Sequence, residues 1–132
     1  MNVTVIDGQG GRLGAALVSA IKERLPQAQI TAIGTNAIAT AAMLKAGAVR
    51  GATGENPVIV ACRTADVIVG PIGLLSADAL LGEVTPAMAA AIGACSAKKV
   101  LIPMNRCGIR VVGVQELGMN EYIELALEEM DK

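Results

Sequence analysis

Short β-branched runs alternate with alanine-rich segments of helical spacing along the chain, and this restricts the fold more than any other feature. Val3–Ile6 is continuous and apolar, as a strand buried on both faces should be. Leu13, Leu17, Val18, Ile21 and Leu25 then recur at helical spacing, and Pro26 ends that helix. Gln29–Ile33 reads as a second strand, Gly34-Thr35-Asn36 as a turn, and Ala37–Ala46 as a helix stopped by Gly47. Val49–Ala52 suits a short third strand. Gly54-Glu55-Asn56-Pro57 suits a turn, with Asn56 as N-cap and Pro57 at the first position of a helix over Val58–Arg63. The VIVA run within that helix would also suit a strand. Ala65–Gly70 follows as a strand, and Thr85-Pro86 opens a helix over Ala87–Cys95. Lys99–Pro103 and Ile109–Val114 are the last strands expected. Asn120–Met130 closes the chain as a helix with Ile123, Leu127 and Met130 on one side. Residues 71–84 fit a loop with a short helix, over or beside a pocket.

Strands alternating with helices predict a parallel sheet covered on both faces, and right-handed crossovers leave few topologies. The expected architecture is α/β: a Rossmann-like, doubly wound, mostly parallel sheet with helices on both faces. The 132 residues suit a single domain, 1–132, with no internal repeat or linker. At 53% hydrophobic and 17% charged residues, the chain can build a core without disulfides or metal.

The composition excludes several functions. A net charge of -1 argues against a nucleic-acid footprint, which needs a clustered basic face. No basic leader precedes an apolar core, and no run reaches the roughly 18 apolar residues of a membrane span. Cys62, Cys95 and Cys107 are odd in number and widely spaced, so free thiols in a cytoplasmic protein are expected. There is no His, Trp or Phe, and Tyr122 is the only aromatic residue. A His–carboxylate relay is impossible, no metal site is expected, and bases have no stacking platform. A core of Ala, Val, Ile, Leu and Met points to apolar surface hidden between subunits, hence a homodimer.

The candidate site begins at Gly8-Gln9-Gly10-Gly11-Arg12-Leu13-Gly14. The first βα turn of a doubly wound fold points backbone N–H groups at a ligand, and glycine lets a phosphate approach them. G-x-G-x-x-G fails here, because Leu13 stands where the third glycine belongs. Gly8, Gly11 and Gly14 do satisfy G-x-x-G-x-x-G. That spacing, with Arg12 inside it, resembles the nucleotide-binding turn of dihydrodipicolinate reductases. The resemblance covers some twenty residues and implies a cofactor type, not a substrate. A nucleoside-triphosphate P-loop is excluded, since Ala15 and Ala16 replace its Lys and Ser/Thr. A dinucleotide site normally has a carboxylate at the end of the second strand, on the ribose hydroxyls. This chain has Gly34-Thr35-Asn36 there. That counts against NAD and is compatible with a 2′-phosphate, yet no cation stands in that turn. NADP and another nucleotide both stay open.

The loops after the strands converge on one edge and gather most of the non-helical polar residues: Asp7, Thr53, Glu55, Asn56 and Cys107 beside the candidate binding residues Gln9, Arg12, Thr35, Asn36, Asn105 and Arg106. Asn36 and Asn56 also suit helix caps. Asp7 could act as a base or hold turn amides. Arg12 and Arg106 could bracket a diphosphate, or could make surface salt bridges. Cys107 follows an arginine, which would favour a thiolate, but a lone Cys more often packs as a small apolar residue; Cys62 and Cys95 read as packing.

VIDGQGG, GTNAIATAAMLKAGA, GATGEN, ADVIVGPIG, EVTPAMAAAIG and IPMNRC together resemble a family of short bacterial proteins catalogued as domain of unknown function 3842. The resemblance spans the chain, implies a small bacterial cytoplasmic protein, and carries over no functional residue. Three classes of function fit these residues. One is a sensing or regulatory module that binds a phosphorylated small molecule, a nucleotide or dinucleotide, without turnover. Another is an NADP-type oxidoreductase whose active site is completed at a dimer interface. The third is a structural or partner-binding subunit without a ligand. Thr35 and Asn36 would contact a sugar or the far end of the ligand. On the cradle reading, Gly11→Val abolishes binding and leaves the fold intact.

Overall fold

The structure, a computed structural model, describes residues 1–104 and 107–132. Its elements are β1 (Asn2–Asp7), α1 (Arg12–Arg24), β2 (Gln29–Gly34), α2 (Ala37–Ala46), β3 (Arg50–Thr53), α3 (Glu55–Cys62), β4 (Val67–Pro71), α4 (Pro86–Ala94), β5 (Lys98–Ile102) and α5 (Met119–Met130). One 3-10 turn, Ile72–Leu75, follows β4. All strand pairs are parallel, in the order β3-β2-β1-β4-β5. The chain therefore steps outward from β1 through β2 to β3, then returns to the other side of β1 for β4 and β5. The order reverses between β1 and β4, which is where an open α/β sheet forms a crevice at its carboxyl edge.

Strand residues alternate between two apolar layers. Val3, Val5, Ile30, Ala32, Val67, Val69, Val100 and Ile102 face α1, α2 and α5, where Leu17, Ile21, Met43, Ile123 and Leu127 cover them. Ile6, Ile33 and Ile68 face the opposite way, against Val58 and Cys62 of α3, Met88 and Ile92 of α4, and Leu74, Leu80 and Val84 between β4 and α4. The Rossmann-like α/β architecture expected from the alternation is the one observed.

Two local expectations fail. Ile109–Val114 forms no strand; it runs as irregular chain with one turn, and Val112 is fully exposed. Its β-branched composition reflected propensity, which tertiary context overrides. The third helix begins at Glu55 with Gly54 at the N-cap, so Asn56 is not the cap and Pro57 is not at the first helical position. Proline tolerates the whole first turn, because no N–H there has an intrahelical acceptor. By contrast, Thr85 caps α4 as expected, accepting from the Met88 N–H at 3.2 Å, with Pro86 at the first helical position.

Candidate functional site

β1 ends at Asp7, and the chain turns through Gly8–Gly11 into α1. Asp7 is buried and its carboxylate holds the turn: Oδ1 accepts from the Gly8 N–H at 2.8 Å and Oδ2 from the Gly14 N–H at 2.6 Å. Burial raises the Asp7 pKa, the two amides oppose that, and the negative charge of Glu83 adds to the rise. Of the two roles open for Asp7, this geometry matches the holding of turn amides.

The glycines divide into two groups. A Cβ on Gly11 would lie 2.7 Å from the Ala39 Cα, and its φ of +73° favours glycine independently. A Cβ on Gly14 would meet Met43 Sδ at 2.6 Å and Asp7 Cβ at 2.7 Å. These two glycines serve the close approach of α1 to α2 and β1. A side chain at Gly11 therefore damages packing, and Gly11→Val cannot leave the fold intact as expected from the sequence. Gly10 is the open position, where a Cβ would find nothing within 4 Å.

Gly8 faces a residue that pattern reasoning missed. A Cβ there would lie 2.9 Å from Glu83 Oε1 and 2.8 Å from Leu80 Cδ1. Glu83 Oε1 accepts from the Gln9 N–H at 2.8 Å, the Thr35 hydroxyl at 2.6 Å and the Asn36 amide at 2.8 Å. Desolvation would raise the Glu83 pKa, but these three hydrogen bonds outweigh it and hold the carboxyl below its ordinary value. The second carboxylate oxygen has no partner among the described residues. Thr35 and Asn36 thus reach the carboxyl edge as expected, but they hold Glu83. Asn36 also caps α2 through the Ala39 N–H at 2.9 Å and donates to the Gln9 carbonyl at 2.8 Å.

The loop carrying Glu83 is tightly specified. Asp78, Leu80 and Leu81 adopt φ of +66°, +56° and +58°, unusual for residues with a Cβ. Asp78 N–H donates to the Val84 carbonyl at 2.7 Å, Val84 N–H to Ala79 at 3.1 Å, and Glu83 N–H to Leu80 at 3.2 Å. Buried Ala79, Leu80 and Val84 anchor the loop on the α3–α4 layer. Left-handed non-glycine residues cost about 1–3 kcal/mol each and persist where surrounding structure determines them. Residues 71–84 were expected over or beside a pocket; they lie against the glycine turn.

The start of α1 has unused donors. Its N-cap is Gly11, which has no capping side chain, and no acidic residue occupies its first turn. Among the described residues, no acceptor takes the N–H of Gly10, Arg12 or Leu13. Arg12 is exposed and forms no ion pair with a described residue. Leu13 is buried on the sheet side of the helix. Asn105 and Arg106 lie outside the described residues. Cys107 is exposed. Neither of the two larger described cavities, of about 480 and 470 Å³, touches the glycine turn; one follows β5 and α5, and the other lies between the sheet and α3. No group of three or more metal-ligating side chains occurs among the described residues, and no helix there is long and apolar enough to cross a membrane.

A parallel sheet in the order β3-β2-β1-β4-β5, with a glycine turn opening its first crossover, places the molecule among Rossmann-like α/β proteins. More narrowly, the chain belongs to the family described as Domain of unknown function (DUF3842), whose model matches residues 2–132. Among solved structures it is similar to a dodecameric FMN-dependent UbiX-like decarboxylase from Escherichia coli O157:H7. That likeness has 19% identity and a TM-score of 0.46, over 99% of this chain and 77% of that one, and transfers neither ligand nor activity. No curated protein matches the chain.

Proposed function

We propose that the chain binds a phosphorylated small molecule, a nucleotide or dinucleotide, at the turn between β1 and α1, as a sensing or regulatory module without turnover. One observation carries this reading: the glycine-rich start of α1, where the amides of Gly10, Arg12 and Leu13 have no acceptor among the described residues. Helix N-termini with free N–H groups favour anions through hydrogen bonding and the helix dipole. Arg12, exposed at the first helical position, adds a cation.

Glu83 refines the class of ligand. Dinucleotide folds set a carboxylate at the end of the second strand to accept from ribose hydroxyls. β2 ends in Gly34, and Glu83 stands beside Thr35 and Asn36 in its place. Its second oxygen, without a partner among the described residues, suits a sugar diol, and its charge repels a 2′-phosphate. An unphosphorylated ribose is therefore favoured over NADP. The phosphates would lie on the Gly10, Arg12 and Leu13 amides and the ribose on Glu83. The homodimer expected from composition belongs to the same proposal, and sedimentation of the full chain reads it directly.

Calorimetric titration with NAD, NADP, the four ribonucleoside diphosphates and pyrophosphate tests the reading. Saturable binding of pyrophosphate and of a ribose diphosphate, with NADP weaker than NAD, supports it. No saturable binding by any of them overturns it, and NADP binding more tightly than NAD removes the role given to Glu83.

A further inference from the structure

Away from the carboxyl edge, two cysteines meet where α3 and α4 end. α3 terminates at Cys62, and Cys95 is the C-cap of α4. The helices lie side by side: at their starts Thr85 Oγ1 donates to Glu55 Oε1 at 2.5 Å, and at their ends Cys62 and Cys95 are neighbours on one cavity, the Cys95 thiol donating to the Ile92 carbonyl at 3.3 Å. Both cysteines line this open cavity of about 310 Å³, together with Ile59, Arg63, Ala91 and Ser96. Cys62 is buried and Cys95 partly exposed. Burial, with the neighbouring Cys95 acting in the same direction, pushes the Cys62 thiol up to about 11. A protected sulfur behind an accessible one is the arrangement that thiol–disulfide exchange uses, the exposed member reacting first and the buried one resolving.

We propose that Cys62 and Cys95 form a redox-active dithiol site that low-molecular-weight disulfides convert reversibly to an α3–α4 disulfide. Cys95, after losing its proton to solvent, attacks one sulfur of a disulfide such as oxidised glutathione. The S–S bond of the reagent breaks, one glutathione thiolate leaves, and a mixed disulfide forms on Cys95. Cys62 then loses its proton and attacks the Cys95 sulfur, expelling the second glutathione thiolate. The two protons protonate the two leaving thiolates. Two cysteine thiols are oxidised and one glutathione disulfide is reduced to two glutathiones, so the exchange balances. Arg63, lining the same cavity, offers a cation to a carboxylate of glutathione. The disulfide would tie together the two helices that cover one face of the sheet, and α4 continues directly from the loop bearing Glu83.

The test is native intact-mass spectrometry of the full chain carrying Cys107→Ser, incubated with oxidised glutathione without denaturant. The site predicts loss of two hydrogen masses, no retained glutathione, a peptide crosslink between Cys62 and Cys95, and a melting temperature several degrees above that of the reduced protein. Adding Cys62→Ser should trap one glutathione on Cys95, and adding Cys95→Ser should leave Cys62 at least tenfold slower to react. Glutathione retained on Cys95 in the chain with both cysteines overturns the proposal. So does a crosslink that appears only in denaturant, or no reaction at all.

Discussion

The first two crossovers start at the same sheet edge but treat their helix amides differently. At α2, the N-cap Asn36 accepts from the third helical amide, Ala39 N–H, at 2.9 Å, and Thr40 Oγ1 bonds Gly34 N–H at 3.1 Å and Thr53 Oγ1 at 2.8 Å, while the N–H groups of Ala37 and Ile38 have no described acceptor. At α1, Asp7 and Glu83 take the N–H groups of Gly8, Gly14 and Gln9, while those of Gly10, Arg12 and Leu13 have no described acceptor. Both helices have their third amide taken, Gly14 by Asp7 from β1 and Ala39 by its own N-cap; what sets α1 apart is that glycines flank its free amides and two carboxylates are placed beside them. That asymmetry marks where to look for a ligand.

The comparison can be broken from either side. The largest effect is expected from Gly11→Val, which sets a β-branched side chain against the Ala39 backbone at φ +73°. Denaturant unfolding should show a loss of about 3 kcal/mol or more, whereas Gly10→Ala should stay within about 0.5 kcal/mol of wild type. Equal effects would mean that the two glycines are not separated into packing and open positions. Asn36→Ala removes the α2 cap and the bonds to Gln9 and Glu83, and should cost about 1–2 kcal/mol in the same assay. Arg12→Glu should act with opposite signs: the new acid in the first turn of α1 stabilises the fold by about 0.5 kcal/mol, while pyrophosphate affinity falls. A variant that loses stability as well would contradict the open-turn account.

The smallest effect concerns pH. Because Glu83 is held below its ordinary value of 4.5, its contribution is present above that pH and is lost as pH falls through the folded-state value. Asp7, raised above its ordinary 3.8, has the reverse sign: folding stability declines as pH climbs from 3.8 through its folded-state value. Glu83→Gln should therefore narrow its stability gap to wild type on acidification, by less than about 0.5 kcal/mol for a partly exposed group. A gap that widens below pH 4.5 would show that Glu83 is not held low by these donors.

Most of the fold was legible because the period of the apolar pattern switches between strand and helix, as at Val3–Ile6 and Leu13–Leu25. Ile109–Val114 misled because β-branching records propensity and not pairing. The glycine turn was legible as a turn, but its glycines could not be sorted by role. Whether Gly11 faces Ala39 or a ligand depends on the distance between α1 and α2, which the local sequence does not specify. Glu83 was hidden for a related reason. It sits 48 residues beyond Thr35, its hydrogen-bond partner, in a loop whose path depends on left-handed residues at Asp78, Leu80 and Leu81. The one available signal was the missing carboxylate at the end of the second strand, a gap that another segment could fill.

Backbone amide shift mapping during titration with inorganic pyrophosphate tests the central claim most directly. Saturable shifts that are largest at Gly10, Arg12 and Leu13, and small at the capped start of α2, are the predicted result. No saturable change at these three amides, or equal changes at Ala39 and Met88, would contradict it.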